Sequence, residues 1–129
     1  MTTILLVDED PLHASVRKAI LERKYAEVQR VSDAAEALAL VEQPKSAENL
    51  GLVVSGNQHS GIGLVGFISE LHVRKPDLPI LVIGEKPLDH SELSGYPVEF
   101  LKRPVTADDL LSAVARMLKT WAAHQLKTA

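Results

Sequence analysis

Cysteine is absent from the chain, so disulfides, thiolate zinc sites and thiol nucleophiles are excluded at the outset. An excess of positive charge is absent too. Seventeen acidic residues against 14 Lys and Arg leave a formal charge of -3, without the electrostatic footprint of a polyanion binder, so nucleic acid is not an expected partner. No apolar run approaches the ~18 residues that a membrane span requires, and the longest, such as Ile80-Leu81-Val82-Ile83, are far shorter. Met1-Thr2-Thr3 lacks the positively charged start of a secretory signal. The expectation is an unsecreted, cytoplasmic protein with no membrane partner. Internal repeats, low-complexity tracts and interdomain linkers are missing as well, and 129 residues fit one domain of roughly 100–150 residues.

What is present is an alternation of short apolar runs and longer segments of helical period, the pattern of an α/β domain with a parallel sheet. Strands are predicted at Ile4–Val7, Val28–Val31, Leu52–Val54, Ile80–Ile83 and Val98–Leu101. Asp10-Pro11 supplies an N-cap and a proline at the first helical position, with Leu12, Val16, Ala19 and Ile20 as that helix's apolar face. Asp33 with Glu36 makes a capping-box-like start to a helix buried through Ala34, Leu38 and Val41, and Pro44 ends or follows it. Leu64, Phe67, Ile68 and Leu71 recur at helical spacing after a Gly-rich loop, and Pro76 and Pro79 bracket the next turn. Thr106 caps a last helix carrying Leu110, Val114, Met117, Leu118 and Trp121 on one side, predicted to end near residue 123. The domain is accordingly drawn at 1–123, with 124–129 a C-terminal tail free to be disordered.

The uninterrupted runs at 4–7, 52–54 and 80–83 suit central strands covered on both faces, whereas 28–31 and 98–101 carry charges and suit edges. The implied architecture is a doubly wound five-stranded parallel sheet of order 2-1-3-4-5 with helices on both faces. Its crevice lies beyond the carboxyl ends of strands 1 and 3, where the order switches. Those strand ends carry Asp8, Glu9 and Asp10, then Ser55, Gly84 and Lys102-Arg103-Pro104, so an acidic patch faces a basic one.

Four motifs stand in order across these ends: ILLVDEDP at 4–11, LVVSGNQHSGIGL at 52–64, LPILVIGE at 78–85 and FLKRPV at 100–105. With their spacing, the chain from Ile4 to about Leu118 resembles the receiver domain of two-component response regulators. The resemblance implies a strand-3 aspartate that accepts a phosphoryl group from a histidine kinase, and two acids after strand 1 that help to hold Mg²⁺. Asp8 and Glu9 match the acidic pair, but the phosphoacceptor position, counted back eight residues from Gly63, is Ser55. The hydroxyl expected after strand 4 is replaced by Gly84, and the lysine before the strand-5 proline by Arg103.

These departures bear on chemistry. A carboxylate is a nucleophile at neutral pH, whereas a serine hydroxyl needs a neighbouring base, and aspartyl phosphate cannot form at 55. Mg²⁺ loses one carboxylate ligand, so no cofactor is required and any binding at Asp8 and Glu9 is expected to be weak. Gly84 offers no hydroxyl to a phosphoryl oxygen, and Phe100, at the family's aromatic switch position, has no phenolic group to follow one. Arg103 has the planar fork for bidentate pairing with Asp8 or Glu9, which would substitute an internal cation for the metal. The helix implied between strands 4 and 5 is shortened, because Pro87, Gly95 and Pro97 interrupt Glu85–Pro97 and leave one or two turns around Leu88–Leu93.

The expected function is a receiver-like signalling module, not an enzyme, that acts on a protein partner, either a signalling protein or a second copy, without aspartyl phosphorylation. An alternative is a phosphorelay receiver still controlled by a kinase through Ser55 or a nearby acid. From another class comes a small nucleotide-binding or hydrolytic domain using the 55–66 loop. Gly61-Ile62-Gly63-Leu64-Val65-Gly66 is a GxGxxG with Glu85 near a ribose-binding position, though its glycines begin five residues beyond the strand. Asp8, Ser55 and His59 form a nominal triad, without the G-x-S-x-G elbow. The five histidines show no H-x-x-x-H pair. Trp121 is either core or a contact for a partner helix.

Overall fold

The alternation of apolar strands and amphipathic segments resolves into a sheet with helices on both faces. The computed structural model describes the backbone of 2–56, 62–85 and 95–128, and the side chains of all these except 46, 47 and 121–128. In chain order the elements are β1 (Thr3–Val7), α1 (Pro11–Leu21), β2 (Glu27–Val31), α2 (Ala34–Glu42), α3 (Pro44–Glu48), β3 (Leu50–Gly56), α4 (Gly63–Arg74), β4 (Ile80–Gly84), β5 (Val98–Lys102) and α5 (Ala107–Thr128). All strand pairs are parallel and the order is β2-β1-β3-β4-β5, as the charge pattern of the strands implied.

Period-two alternation divides the core in two. Leu5, Val7, Val53, Ile80 and Val82 point to one face, where Ala34, Ala37 and Val41 of α2 and Phe67, Ile68 and Leu71 of α4 cover them. Ile4, Leu6, Leu52, Val54, Leu81 and Ile83 point to the other, under Ala14 and Leu21 of α1 and Leu110, Ala113, Val114 and Met117 of α5. β2 and β5 are the half-exposed edges.

The caps follow from local chemistry. The Asp10 carboxylate accepts from the Leu12 and His13 amides at 2.9 and 3.3 Å, with Pro11 at the first helical position. Asp33 accepts from the Glu36 amide at 2.9 Å, and Thr106 and Asp109 cap α5 reciprocally, each side chain accepting from the other's amide.

Pro44 lies just beyond the end of α2, as expected, and opens the short helix α3, a position where proline's missing N–H costs nothing. Two details differ from the sequence expectation. The backbone of α5 runs on to Thr128 instead of stopping near 123, because nothing in Ala122–Thr128 is a glycine or proline that would end it. Most consequential is α1: Leu12 and Val16 are 70% and 54% exposed, and the face turned inward is Ala14, Arg17 and Leu21. Ile20 is the only member of the proposed apolar face that packs against the core, and only in part. The predicted shortened helix at Leu88–Leu93 lies outside the described residues.

The rotation of α1 is open to test by denaturation. Leu12→Ser and Val16→Ser are expected to leave stability within about 0.5 kcal/mol, as surface changes do. Leu21→Ala, which empties a buried position, is expected to cost roughly 2–5 kcal/mol in the same urea titrations.

Candidate functional site

Strand register determines which side chains meet at the carboxyl ends of the sheet. Val7 pairs with Val31 on one side and Ser55 on the other, so Asp8 emerges one residue later at the point where the strand order reverses. Ser55 pairs with Val82 and Gly84 with Lys102, which lines up β3, β4 and β5 along the same edge. A crevice of about 470 Å³ opens there, lined by Asp8, Glu9, Asp10, Pro11, His13, Arg17, Gly56, Ile83 and Arg103.

Asp8 is 8% exposed and fully engaged. Its Oδ1 accepts from the Asp10 amide at 3.0 Å, and its Oδ2 accepts from Arg17 Nη1 at 2.6 Å. Its backbone carbonyl accepts from Arg30 Nη2 at 2.8 Å, which ties the end of β1 to β2. Arg17 is itself only 13% exposed. Burial lowers its pKa from the ordinary arginine value, the Asp8 carboxylate opposes that change, and the like charge of Arg103 reinforces it. Asp10, at the helix start, has its pKa lowered by the hydrogen bonds it accepts from the His13 and Leu12 amides.

The internal cation expected in this crevice is therefore present, but the residue is Arg17. Arg103 lines the crevice and forms no ion pair among the described residues. Its backbone amide donates to the Gly84 carbonyl at 2.8 Å, extending the β4–β5 ladder, and its peptide bond to Pro104 is cis. Arg17 escaped the sequence reading because it sits on the helical stripe Ala14, Arg17, Leu21, which a charge at its centre made a poor candidate for the buried face. The signal that could have found it is Asp8, a carboxylate at a buried strand end that needs a counter-ion within reach of α1.

Ser55 has no exposed surface, and its hydroxyl donates to the Gly56 carbonyl at 2.7 Å. Gly84 is buried at the end of β4, Glu9 is exposed at the mouth, and Phe100 is half-buried on the edge strand against the α2–α4 side of the core. A divalent cation prefers several oxygens in near-octahedral array. Here each Asp8 oxygen already accepts a hydrogen bond, one of them from a guanidinium whose charge repels a cation, and position 55 offers a hydroxyl in place of a carboxylate, so these residues as arranged are a poor fit for Mg²⁺. Among the described residues no group of three or more His, Asp or Glu is placed to hold a metal. No helix of the described residues is long and apolar enough to cross a membrane.

The rival constellations fare differently. Asp8 and Ser55 are near one another in register, but the carboxylate is committed to Arg17, and His59 lies outside the described residues. Gly61 also lies outside them. Gly63 opens α4 with a φ of 77°, and Gly66 sits within that helix rather than in a phosphate-cradling loop.

No family model matches the chain. Over 121 residues, 92% of its length, it is 29% identical to the C4-dicarboxylate transport transcriptional regulatory protein DctD of Pseudomonas aeruginosa, and it spans about a quarter (25%) of that curated relative. Among solved structures it is similar to a CheY-like response regulator receiver domain protein of Methanospirillum hungatei, with a TM-score of 0.82, 21% identity, and 96% of this chain and 98% of that one covered. A response regulator receiver protein of Sinorhizobium medicae gives a TM-score of 0.78 at 23% identity, covering 93% and 96%. A response regulator receiver domain protein of Clostridium thermocellum gives 0.80 at 21% identity, also covering 93% and 96%.

Replacing Arg17 with Met leaves a buried carboxylate unpaired and is expected to cost about 3–5 kcal/mol by urea denaturation, with much of the loss recovered when Asp8→Asn is added. Arg103→Ala is expected to cost less than about 1 kcal/mol. The Asp10 cap gives a pH signature. Its folded-state pKa lies below the ordinary 3.8, so its charge-dependent contribution is present above 3.8 and is lost as pH falls through the lower folded value. Asp10→Asn keeps a capping oxygen, so its stability gap from the native chain should be constant at neutral pH and close as the pH drops below 3.8.

Proposed function

From a chain with the fold of a response-regulator receiver domain, we propose a receiver-like signalling module that works through protein contact, without aspartyl phosphorylation and without a required metal. The observation that carries this reading is Ser55. At the end of β3, where the resemblance implies a phosphoacceptor carboxylate, there is a fully buried hydroxyl bonded to the next carbonyl. Such a group lacks the negative charge of a carboxylate, and Asp8, at the end of the adjoining strand, is held by Arg17 and so is a poor base to activate it.

The Asp8–Arg17 pair supports the same reading from the metal's side. A cation built into α1 neutralises the acid that a receiver of the usual kind presents to Mg²⁺, and no phosphate is needed to complete the charge balance. Gly84 and Phe100 lack the hydroxyls through which a phosphoryl group would be sensed. In this reading the domain holds one conformation and signals by what it binds, as an interaction module rather than an enzyme.

The test is a titration of the ¹⁵N-labelled chain with Mg²⁺, then with beryllofluoride and acetyl phosphate. The expected result is no saturable amide shift at 8, 9, 55 or 103 at millimolar concentrations. A saturable beryllofluoride shift at those amides would overturn the phosphate-free reading. In the triple variant Ser55→Asp, Gly84→Thr and Arg103→Lys, combined with Arg17→Ala to free Asp8, a response to Mg²⁺ and beryllofluoride is expected to appear.

A further inference from the structure

Among the described residues, the large apolar side chains left exposed lie in two places, Leu12 and Val16 on α1 and Ile62, Val65 and Val73 on α4. Those of α4 share one face. Ile62 is the cap residue, yet its backbone is already helical, so the spacing of 62, 66, 69 and 73 runs unbroken into the helix. Steps of four, three and four residues keep these positions in line for about 17 Å, three turns, as in the seam of a two-helix coil. Val65 flanks the seam, one turn from both Ile62 and Ser69. Phe67, Ile68 and Leu71, on the opposite side of α4, are the residues buried on the sheet.

We propose that this face pairs with that of a second copy of the chain, the two α4 helices packing antiparallel about a two-fold axis that passes between residues 67 and 68. The proposal rests on the protein-contact reading above and names the partner. In a two-fold interface residue i meets j and j meets i. One register sets Ile62 opposite Val73 of the copy and, at the same time, Gly66 opposite Ser69 of the copy. Branched aliphatic side chains then meet at both ends of the seam, and the small pair between them lets the backbones close toward the ~8 Å end of the usual helix separation. Gly66 has a second role within its own chain. A Cβ built there would meet Ile62 Cγ1 at 2.9 Å, so the missing side chain is what lets Ile62 lie along the helix.

Charge selects the occupant. No outward position of the seam is ionisable, in a chain of which 24% is charged. The charges beside it are already paired, because Arg74 holds Glu42 and Glu70, each at 2.8 Å. On the other flank His72 is stacked on Tyr96 with ring centroids 4.2 Å apart. An acidic or basic peptide therefore finds no unpaired counter-charge on this face, and a lipid surface finds none of the Lys and Arg that an interfacial helix presents to headgroups. An uncharged face is matched by another uncharged face, and the copy supplies one whose bulk and gaps fall in register. Three turns of helix offer less than the ~800 Å² per partner of a standard interface, so the pairing belongs to the weak, concentration-dependent class.

The test begins with sedimentation of the full chain from micromolar to millimolar concentration, and with dilution of the ¹⁵N-labelled chain over the same range. A monomer–dimer equilibrium is expected, with concentration-dependent shifts centred on amides 62–73. The axis sets Ser69 within one turn of Ser69 of the copy, so Ser69→Glu and Ser69→Lys are each expected to weaken the dimer about tenfold or more, and an equimolar mixture of the two to restore it. Rescue by mixing is a readout that a merely structural effect of either substitution does not give. The chain has no cysteine of its own, so Ile62→Cys and Val73→Cys chains mixed under a disulfide-forming oxidant report the register. The 62–73 cross-link is expected to predominate over 62–62 and 73–73. The proposal is overturned if the native chain stays monomeric at millimolar concentration, or if its dimer shifts centre elsewhere, as on amides 12–20. It is also overturned if folded charge variants restore nothing on mixing, or if like cross-links predominate. A beryllofluoride response at position 55 with the dimer intact sinks the phosphate-free reading and leaves the pairing standing, whereas a monomer with no beryllofluoride response sinks the pairing alone.

Discussion

The ion pair between Asp8 and Arg17 is the constraint around which the carboxyl edge of the sheet is arranged. Asp8 and Ser55 are the buried polar residues among those described, and only Asp8 carries a formal charge. A charge in that position cannot be left alone, since its desolvation is costly unless a partner and hydrogen bonds compensate for it. Arg17 meets that need from two turns along α1, and the Asp10 amide and the Asp8 carbonyl's bond to Arg30 complete the arrangement. In meeting it, Arg17 sets the rotation of α1 about its axis. Ala14 and Leu21 turn inward with it, and Leu12 and Val16 turn out.

The sheet itself was legible because its signals are redundant. Uninterrupted apolar triplets and tetrads mark β1, β3 and β4, charged residues mark the edges, and α1, α2 and α5 each begin at an Asp or Thr whose side chain caps the helix. Composition cannot separate two rotations of one short helix. In α1 both the stripe 12, 16, 20 and the stripe 14, 17, 21 are amphipathic, and an apolar count favours the first. What decides for the second is a counter-ion requirement arising nine residues before Arg17, at Asp8, which lies outside the helix and so takes no part in its periodicity.

The site shows the same division. Residues tied to strand ends by register, Asp8, Ser55 and Gly84, are located by counting from the strands, and the structure brings them to one edge. Side-chain pairing depends on reach and rotamer. Arg17 and Arg103 both line the crevice, but only Arg17 brings its guanidinium onto the Asp8 carboxylate. Long flexible side chains are therefore where reasoning from sequence is weakest, even when the chemical requirement for a cation is identified correctly.

A counter-ion carried on the same chain has an effective concentration fixed by geometry, not by the composition of the surroundings. Arg17 cannot be diluted, chelated or depleted, whereas a metal or a phosphoryl donor can. The charge at this edge of the sheet is thus balanced by the covalent chain itself, and it travels with the fold wherever the fold goes.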